Sequence, residues 1–517
     1  MKKDLTKGPV TKTMLYFAAP MILGNLLQQG YNIVDALIVG RFLGADALAA
    51  VGSAYSLMTF LNAIMIGLCM GSGTIFSVCF GKQDKQQLKN YVAVSFLWIA
   101  AVTILLNVVS LLGIDGILHA LKVPSALYGM MRDYVWVIFF GIFFTFLYNY
   151  FAFLLRALGN SVVPLCFLGA AAGGNILLDI VFVVIWEQGI RGAAWATVLS
   201  QAGAGIGIGI YVCCKERSFF PKRKELTCNW KTLLQVMRHA SAACVQQSVM
   251  NFGILMIQGL VNSFGASVMA AFAAAVKIDS FAYMPAQEFS NAFSLFIAQN
   301  YGSQKRKRMQ EGIRKAGMLS ILFCLLVSGI IFGLAPYLMQ IFVDGTETEI
   351  LAIGTQYLRI EGSFYVGIGI LFLLYGYYRG VEKPELSLLL TILSLGTRVL
   401  LAYLLAPIDR IGVLGIWWAI PIGWILADSV GLLYLKKLNQ REKQSFAFFP
   451  QKLSRFFYFC LCLNILCGRK PICLKAANQR INFHGIHFMQ QINCCFVCLL
   501  RIAGTAAGKE HDAFFPL

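Results

Sequence analysis

Two aspartates stand inside long apolar stretches of the sequence, with neighbours whose types and spacing could do chemistry. Asp35 follows Tyr31 by four residues, and Asp179 follows Asn175 by the same spacing. Residues four apart share one face of a helix, so each carboxylate has a polar neighbour beside it. Two carboxylates, an amide and a phenol can carry a proton or offer oxygen ligands to a small cation. The alternative for each aspartate is a hydrogen bond between helices with no further role.

The second half of the chain carries a different set of ionisable residues in its apolar segments: Lys277, Asp279, Glu288, Glu361 and Arg398. A charged side chain at the centre of a membrane helix costs about 3 kcal/mol, so each needs a partner or a water-filled cavity. Lys277 and Asp279 are two residues apart and therefore project from different sides of a helix. We expect each to find another partner, either in an ion pair between lobes that breaks during movement or in a static structural pair.

Pro20 lies in the middle of the first apolar stretch, about four helical turns before Asp35. A proline inside a helix removes one backbone hydrogen bond and kinks the chain. Bending at this point can move the face that carries Asp35, and a fixed kink is the alternative.

The elements that position these residues are membrane helices. The chain has 517 residues, of which 58% are hydrophobic and 13% charged. A soluble domain has roughly 25% charged residues, so this composition excludes a soluble enzyme, a disordered regulator and a disulfide-stapled secreted domain. The apolar runs are longer than barrel strands. They predict an all-α integral membrane protein with twelve transmembrane helices, near residues 13–40, 48–80, 91–112, 131–155, 162–185, 192–212, 237–262, 267–300, 316–341, 356–378, 386–405 and 412–435.

The Lys and Arg residues are concentrated in alternate loops. The formal net charge is +19. Alternate loops from the N-terminus hold 27 Lys and Arg residues, whereas the opposite loops hold five, namely Arg41, Lys122, Arg132, Arg191 and Arg410. Because basic residues favour the cytoplasmic side, this bias predicts that both termini are cytoplasmic. The basic excess is then a topology signal, and we expect no nucleic-acid partner.

The chain matches itself at one constant offset, the spacing that separates Gly44 from Gly265. The stretch from Gly44 to Ala50 aligns with the stretch from Gly265 to Ala271, and Gly159 falls on Gly380. This repeat predicts two lobes of six helices, related by a pseudo-two-fold axis along the membrane normal, as in secondary transporters. We predict an N-lobe at 1–212, a cytoplasmic linker at 213–236, a C-lobe at 237–440 and an atypical tail at 441–517.

Seven cysteines crowd the end of the chain, at 451–517, which fits neither the repeat nor the preceding pattern. Our hypothesis is that this tail is translated out of frame. Its cysteines and histidines match no usual zinc spacing, so we expect no metal site there.

An ordered set of short motifs resembles the multidrug and toxic compound extrusion (MATE) family, in the branch of DNA-damage-inducible-protein-F-like bacterial transporters. The resemblance covers roughly residues 8–440. Its motifs are Ala19-Pro20, Tyr31-Asn32-Ile33-Val34-Asp35, Arg156-Ala157-Leu158-Gly159-Asn160, Asn175-x-x-x-Asp179, Gly192-Ala193-Ala194-Trp195-Ala196-Thr197 and Ala298-Gln299-Asn300-Tyr301-Gly302.

The resemblance implies a multi-pass protein of the bacterial inner membrane in which an inward Na⁺ or H⁺ gradient drives export of amphipathic, often cationic, organic compounds. It also implies a cation or proton site in the N-lobe and a bent first helix at Pro20. The implied site residues are Tyr31, Asp35, Asn175, Asp179 and Thr197, with Asp35, Asn175, Asp179 and Thr197 as the metal ligands if the coupling ion is Na⁺.

One feature departs from the family pattern. Some members have an acidic residue on the seventh helix for a C-lobe cation site, and the segment 237–262 has none. Lys277 and Asp279 remain the candidates in that lobe.

The sequence therefore predicts a cation-coupled multidrug antiporter that works as a monomer, without a cofactor and without enzymatic activity. A lipid-linked oligosaccharide flippase of the same superfamily is the alternative, and it would need a more cationic central cavity. A membrane enzyme acting on lipids is disfavoured because the sequence up to position 450 contains only His119 and His239 and no clustered carboxylate motif.

Overall fold

The computed structural model describes residues 3–121, 123–220 and 229–441. Within them, all but Pro407–Gly412 belong to one compact unit. The predicted tail beyond residue 441 lies outside the described residues. The helices are α1 (Val10–Leu43), α2 (Ala45–Lys82), α3 (Lys85–Leu112), α4 (Ile114–Ala120), α5 (Ser125–Ala157), α6 (Val162–Asp179), α7 (Gly189–Lys215), α8 (Trp230–Asn262), α9 (Ala266–Gly302), α10 (Arg306–Gln340), α11 (Thr348–Gly362), α12 (Tyr365–Gly380), α13 (Pro384–Leu405) and α14 (Val413–Arg441).

Long apolar helices make up almost the whole of this part of the chain. Eleven of them are long and apolar enough to cross a membrane. Helices α11 and α12 are bent by 51° relative to each other and make a twelfth span when the pair counts as one. The sequence places a single continuous segment at 356–378, because a short break leaves the apolar pattern uninterrupted.

The segment between the two halves is shorter than the predicted linker 213–236. Helix α7 continues to Lys215, a 3₁₀ turn follows at Arg217–Phe219, and α8 begins at Trp230. Asn229 caps α8, since its side-chain oxygen accepts a hydrogen bond from the Lys231 N–H at 3.2 Å. A prediction based on hydropathy does not detect these helical turns, because they contain polar residues.

The internal repeat is visible in the backbone. Gly44 and its repeat equivalent Gly265 precede α2 and α9 with φ angles of 89° and 99°. Gln83 and Gln304, related by the same offset, follow the same two helices with φ angles of 60° and 55°. Equivalent residues therefore begin and end equivalent helices in the two halves.

Helices α2 and α9 cross at the end of the molecule that carries the basic loops, which we call the basic end. A Cβ atom on Gly81 would lie 2.1 Å from the backbone oxygen of Gln299, and one on Gly302 would lie 2.1 Å from that of Val78. Val78 and Gln299 are also related by the repeat offset, so the two contacts are equivalent. Only glycine permits so close an approach of the two helices.

Candidate functional site

Three helices of the first half position the predicted site. Asp35 lies on α1, Asp179 is the last residue of α6, and Thr197 lies on α7. Directly after Asp179 the chain forms a π-helical turn, Ile180–Ile185. Such turns recur at functional sites because they re-aim the neighbouring side chains.

The two carboxyl groups of Asp35 and Asp179 lie within hydrogen-bonding reach of each other. Asp179 is fully buried and Asp35 half-buried. Neither Asp179 oxygen has a hydrogen-bond donor among the described residues, and the same holds for Asp35 Oδ1. Ionised carboxylates only accept hydrogen bonds and repel each other, so a proton or a cation between them would stabilise the pair.

An amide and a hydroxyl stand beside the carboxylates. The Asn175 side chain is buried, and its Nδ2 donates to Thr197 Oγ1 at 3.4 Å. Thr197 in turn donates to the Ala193 carbonyl oxygen at 3.2 Å. The Asn175 Oδ1 atom has no partner among the described residues. This orients the amide so that a free oxygen is available next to Asp179.

Two tyrosines border this site. Tyr31, predicted from its spacing, lies close enough to Asp35 to interact with it electrostatically. Tyr134 on α5 interacts with both Asp35 and Asp179 and is 7% exposed. Sequence reasoning missed Tyr134 because it is far from Asp35 along the chain, in an apolar segment that contains other aromatic residues. No local spacing connects it to either aspartate.

Pro20 lies inside α1, whose helical hydrogen bonding runs from Val10 to Leu43 on both sides of the proline. The helix is therefore not interrupted there. Its movement stays a prediction.

The structure separates the two C-lobe candidates. Lys277 is exposed, with its Nζ 5.9 Å from the centre of the Phe342 ring. Asp279 is 5% exposed and accepts a hydrogen bond from the Tyr365 hydroxyl at 2.6 Å. Glu361 and Arg398 lie close enough to Asp279 to interact with it electrostatically.

Asp279 thus lies near three groups, one each on α11, α12 and α13. Glu361 Oε2 and Arg398 Nε each lack a hydrogen-bond partner among the described residues. Within that part of the chain, no group of three or more His, Cys, Asp and Glu side chains is arranged to hold a metal ion.

Comparison with known proteins decides the family. The MatE family model matches residues 20–181 and 242–404, one match in each half. The chain belongs to the MatE family. The two matches also coincide with the internal repeat, as expected for two homologous halves.

Relatives of this MatE protein carry names that refer to drug resistance and export. The probable multidrug resistance protein YpnP of Bacillus subtilis (strain 168) is 29% identical over 391 residues, which is 76% of this chain and 87% of the relative. The multidrug export protein MepA of Staphylococcus aureus (strain NCTC 8325) is 23% identical over 440 residues, covering 84% and 95%.

A solved structure has the same fold. It is titled as the outward-facing conformation of a multidrug resistance MATE family transporter of the MOP superfamily, and it matches with a TM-score of 0.80 at 23% identity, over 85% of this chain and 98% of that chain. This likeness confirms the predicted all-α, two-lobe membrane fold. The predicted bacterial branch and the domain boundaries stay predictions.

Proposed function

We propose that this MatE protein is a cation-coupled exporter of amphipathic organic compounds in the bacterial cytoplasmic membrane, working by alternating access. The observation that carries the proposal is the facing pair Asp35 and Asp179, whose oxygens without donors can take up a proton or a cation. The names of the relatives support a drug-like substrate. Both lobes belong to one chain, so a monomer suffices.

The donor set fits a small hard ion as well as a proton. Asp35, Asp179 and Asn175 offer four oxygen atoms without hydrogen-bond donors among the described residues. Carboxylate, amide and hydroxyl oxygens are the ligands that hard cations prefer. A shared proton between the two carboxyl groups satisfies the same requirement. Na⁺ and H⁺ are therefore the two coupling ions that we propose.

Ion binding and substrate export are coupled because the ion and the substrate favour different positions of helix α1. Binding of the ion between Asp35 and Asp179 draws α1 toward α6, because the charge repulsion between the carboxylates is removed. Release of the ion frees the α1 face that lines the space between the lobes. Since a ligand shifts an equilibrium only by its differential affinity, ion and substrate must favour different positions of α1.

Efflux measurements under separately imposed gradients test this proposal. The purified protein is reconstituted into vesicles, and transport of the cationic dye rhodamine 123 is followed under a Na⁺ gradient alone and under a pH gradient alone. We expect transport in response to one of the two gradients and its collapse when an ionophore dissipates that gradient. Dye movement that responds to neither gradient would contradict ion coupling.

A further inference from the structure

Arg379 is buried in a helix at a place where the sequence predicts a cytoplasmic loop. Counted among the residues of the basic loop 379–385, it belongs to the last turn of α12 and is 5% exposed. Its side chain lines a small cavity, of about 20 Å³, together with Gln246, Gln247, Asn291 and Tyr375. The walls of this cavity therefore offer amide, phenol and guanidinium groups, and no carboxylate from the described residues.

The guanidinium group of Arg379 has few hydrogen-bond acceptors around it. Nη2 donates to Asn291 Oδ1 at 3.0 Å, and Nη1 donates to the thioether sulfur of Met70 at 2.8 Å. A thioether is a weak acceptor. Nε has no partner, and none of the ion pairs among the described residues includes Arg379. A buried guanidinium that makes no direct ion pair favours an anionic ligand.

One carboxylate serves two arginines in this region. Glu288 on α9 interacts electrostatically with both Arg156 and Arg379. It accepts hydrogen bonds from the amides of Asn25 and Asn291, at 3.3 and 3.2 Å. Glu288 is therefore shared between two arginines, and among the described residues it forms an ion pair with neither.

We propose that the cavity at Arg379, once it is widened by separation of the halves, binds an anionic group, a carboxylate, on the exported compound. The proposal rests on the proposed export function and specifies its substrate class as amphiphiles with an acidic group, including zwitterions. A planar carboxylate accepts two parallel hydrogen bonds from a guanidinium. Met70 lies on α2, in the other half of the chain, and its weak contact gives way to the carboxylate when the halves separate.

Two dyes that differ only at a carboxyl group test this site. Rhodamine 110 has a free carboxylate, and rhodamine 123 is its methyl ester. In Arg379→Gln we expect the KM for rhodamine 110 to rise about tenfold and that for rhodamine 123 to change less than about twofold, since only the carboxylate loses a charged donor. Arg379→Lys retains the charge, so we expect its KM for rhodamine 110 to lie between that of the wild type and that of Arg379→Gln.

Two further variants make the test specific. Arg314→Gln removes an exposed charge from α10 and should change neither KM. Met70→Leu keeps the volume, removes the competing sulfur and is expected to lower the KM for rhodamine 110 alone. It also tests the site if Arg379→Gln fails to fold. Equal effects on both dyes, or transport of rhodamine 123 without rhodamine 110 by the wild type, would overturn the inference. Failure to transport either dye would contradict the proposed function itself.

A second, independent observation concerns residues 3–8, which we call the N-terminal strap. The strap crosses the basic end and contacts both halves. Its Lys3 N–H donates to the Gly159 carbonyl oxygen at 2.9 Å, and its Leu5 N–H donates to Gln299 Oε1 at 3.1 Å. Gln299 Nε2 continues to the Ala157 carbonyl oxygen at 2.8 Å. The Gln299 side chain thus connects the strap to both halves of the chain.

Two basic residues, Arg308 in the first turn of α10 and Lys305 directly before that helix, hold the strap by its backbone. Arg308 donates to the carbonyl oxygens of Leu5, Lys7 and Gly8, at distances between 2.6 and 3.2 Å. Lys305 Nζ donates to the Thr6 carbonyl oxygen at 2.8 Å. The Leu5 side chain is fully buried in an apolar cluster of both α1 and α9 residues.

We infer that the strap is a latch, which keeps the basic end closed and detaches each time that end opens. The geometry requires this, because the strap cannot keep its bonds to Gly159 and to Gln299 if the two halves separate there. Charged side chains donate hydrogen bonds to the backbone of the strap. The strap can therefore detach without the unfolding of any helix.

Hydrogen exchange and a reversible cross-link test the latch. In nanodiscs, Arg308→Gln should speed amide exchange of residues 3–8 about tenfold, since a charged donor to three carbonyls is lost. Lys307→Gln changes the exposed residue next to Arg308 on α10 and should leave the exchange rate unchanged. Equal exchange in both variants would contradict the inference.

The cross-link tests the movement itself. Thr6→Cys and Lys305→Cys, in a background without native cysteines, allow a short bifunctional thiol reagent with a reducible spacer to fasten the strap. We expect dye efflux to stop and to return on reduction, whereas Thr6→Cys alone should be insensitive. Full transport with the strap fastened would show that it does not detach.

Discussion

Asp35→Asn is expected to abolish gradient-driven dye efflux, with a fall of about 100-fold in the coupled rate, near the upper range of coupling between two sites. Asparagine has nearly the shape of aspartate but cannot ionise, so the variant neither binds a proton nor repels Asp179. The amide can instead donate a hydrogen bond to Asp179, whose oxygens lack donors among the described residues. That bond should hold α1 in its ion-bound position.

The control for this variant is Asp46→Asn, the same change at an exposed position in the first turn of α2. Its efflux should equal that of the wild type. Dye binding to Asp35→Asn, measured by fluorescence polarisation, should change by less than about threefold if only coupling is lost. Wild-type efflux by Asp35→Asn would disprove the coupling role.

The Asp179→Asn variant distinguishes one site that the two carboxyl groups share from two independent sites. If the two carboxyl groups hold one proton or ion together, the double variant should be no worse than either single variant, because interacting sites are not additive. Additive losses would show that the two aspartates act separately.

The second large effect is expected from Gly81→Ala and Gly302→Ala, at the crossing of α2 and α9. Each new Cβ would lie 2.1 Å from a backbone oxygen of the opposite helix, which cannot rotate away as a side chain can. Overpacking of this kind costs about 1–3 kcal/mol. Because the clash exists only where the helices meet, it destabilises the state in which the basic end is closed. We expect dye efflux to fall at least about fivefold in each variant, the factor that corresponds to the lower of these energies.

Gly52→Ala is the matched control, since it lies on the same helix α2 with no atom within 4 Å of the added Cβ. Spin labels at Lys85→Cys and Arg306→Cys report the separation of the basic end, because these exposed residues begin α3 and α10 and are equivalent under the repeat. Electron paramagnetic resonance should show longer distances in the Gly81 and Gly302 variants. Distances equal to those of Gly52→Ala would contradict the role of the crossing.

Much of this fold is predictable because it depends on local composition. Apolar runs longer than about 20 residues can satisfy their backbone only as helices in a membrane, so their number and approximate positions follow from hydropathy. The repeat offset predicts the paired halves, and Gly44 with Gly265 shows that it also predicts the matching helix starts. The bend between α11 and α12 was not predictable, since a short break does not change the hydropathy of its surroundings.

The site was predicted in part. Helix spacing placed Tyr31 beside Asp35 and Asn175 beside Asp179, because those relations are local. Tyr134 was not found, since its proximity to both aspartates depends on how α5 packs against α1 and α6. Lys277 and Asp279 have different surroundings, as their spacing predicts, but the identity of the groups around Asp279 depends on packing between distant helices.

Arg379 shows most clearly what tertiary structure decides. The sequence analysis places it among the basic residues of a cytoplasmic loop, whereas the fold buries it beside Met70 and Asn291. The sequence by itself determined the membrane class, the charge bias of the loops and the duplication, since composition and periodicity act over neighbouring residues. The tertiary structure decided which charges meet, because carboxylates and guanidinium groups from distant helices come together only when the helices pack.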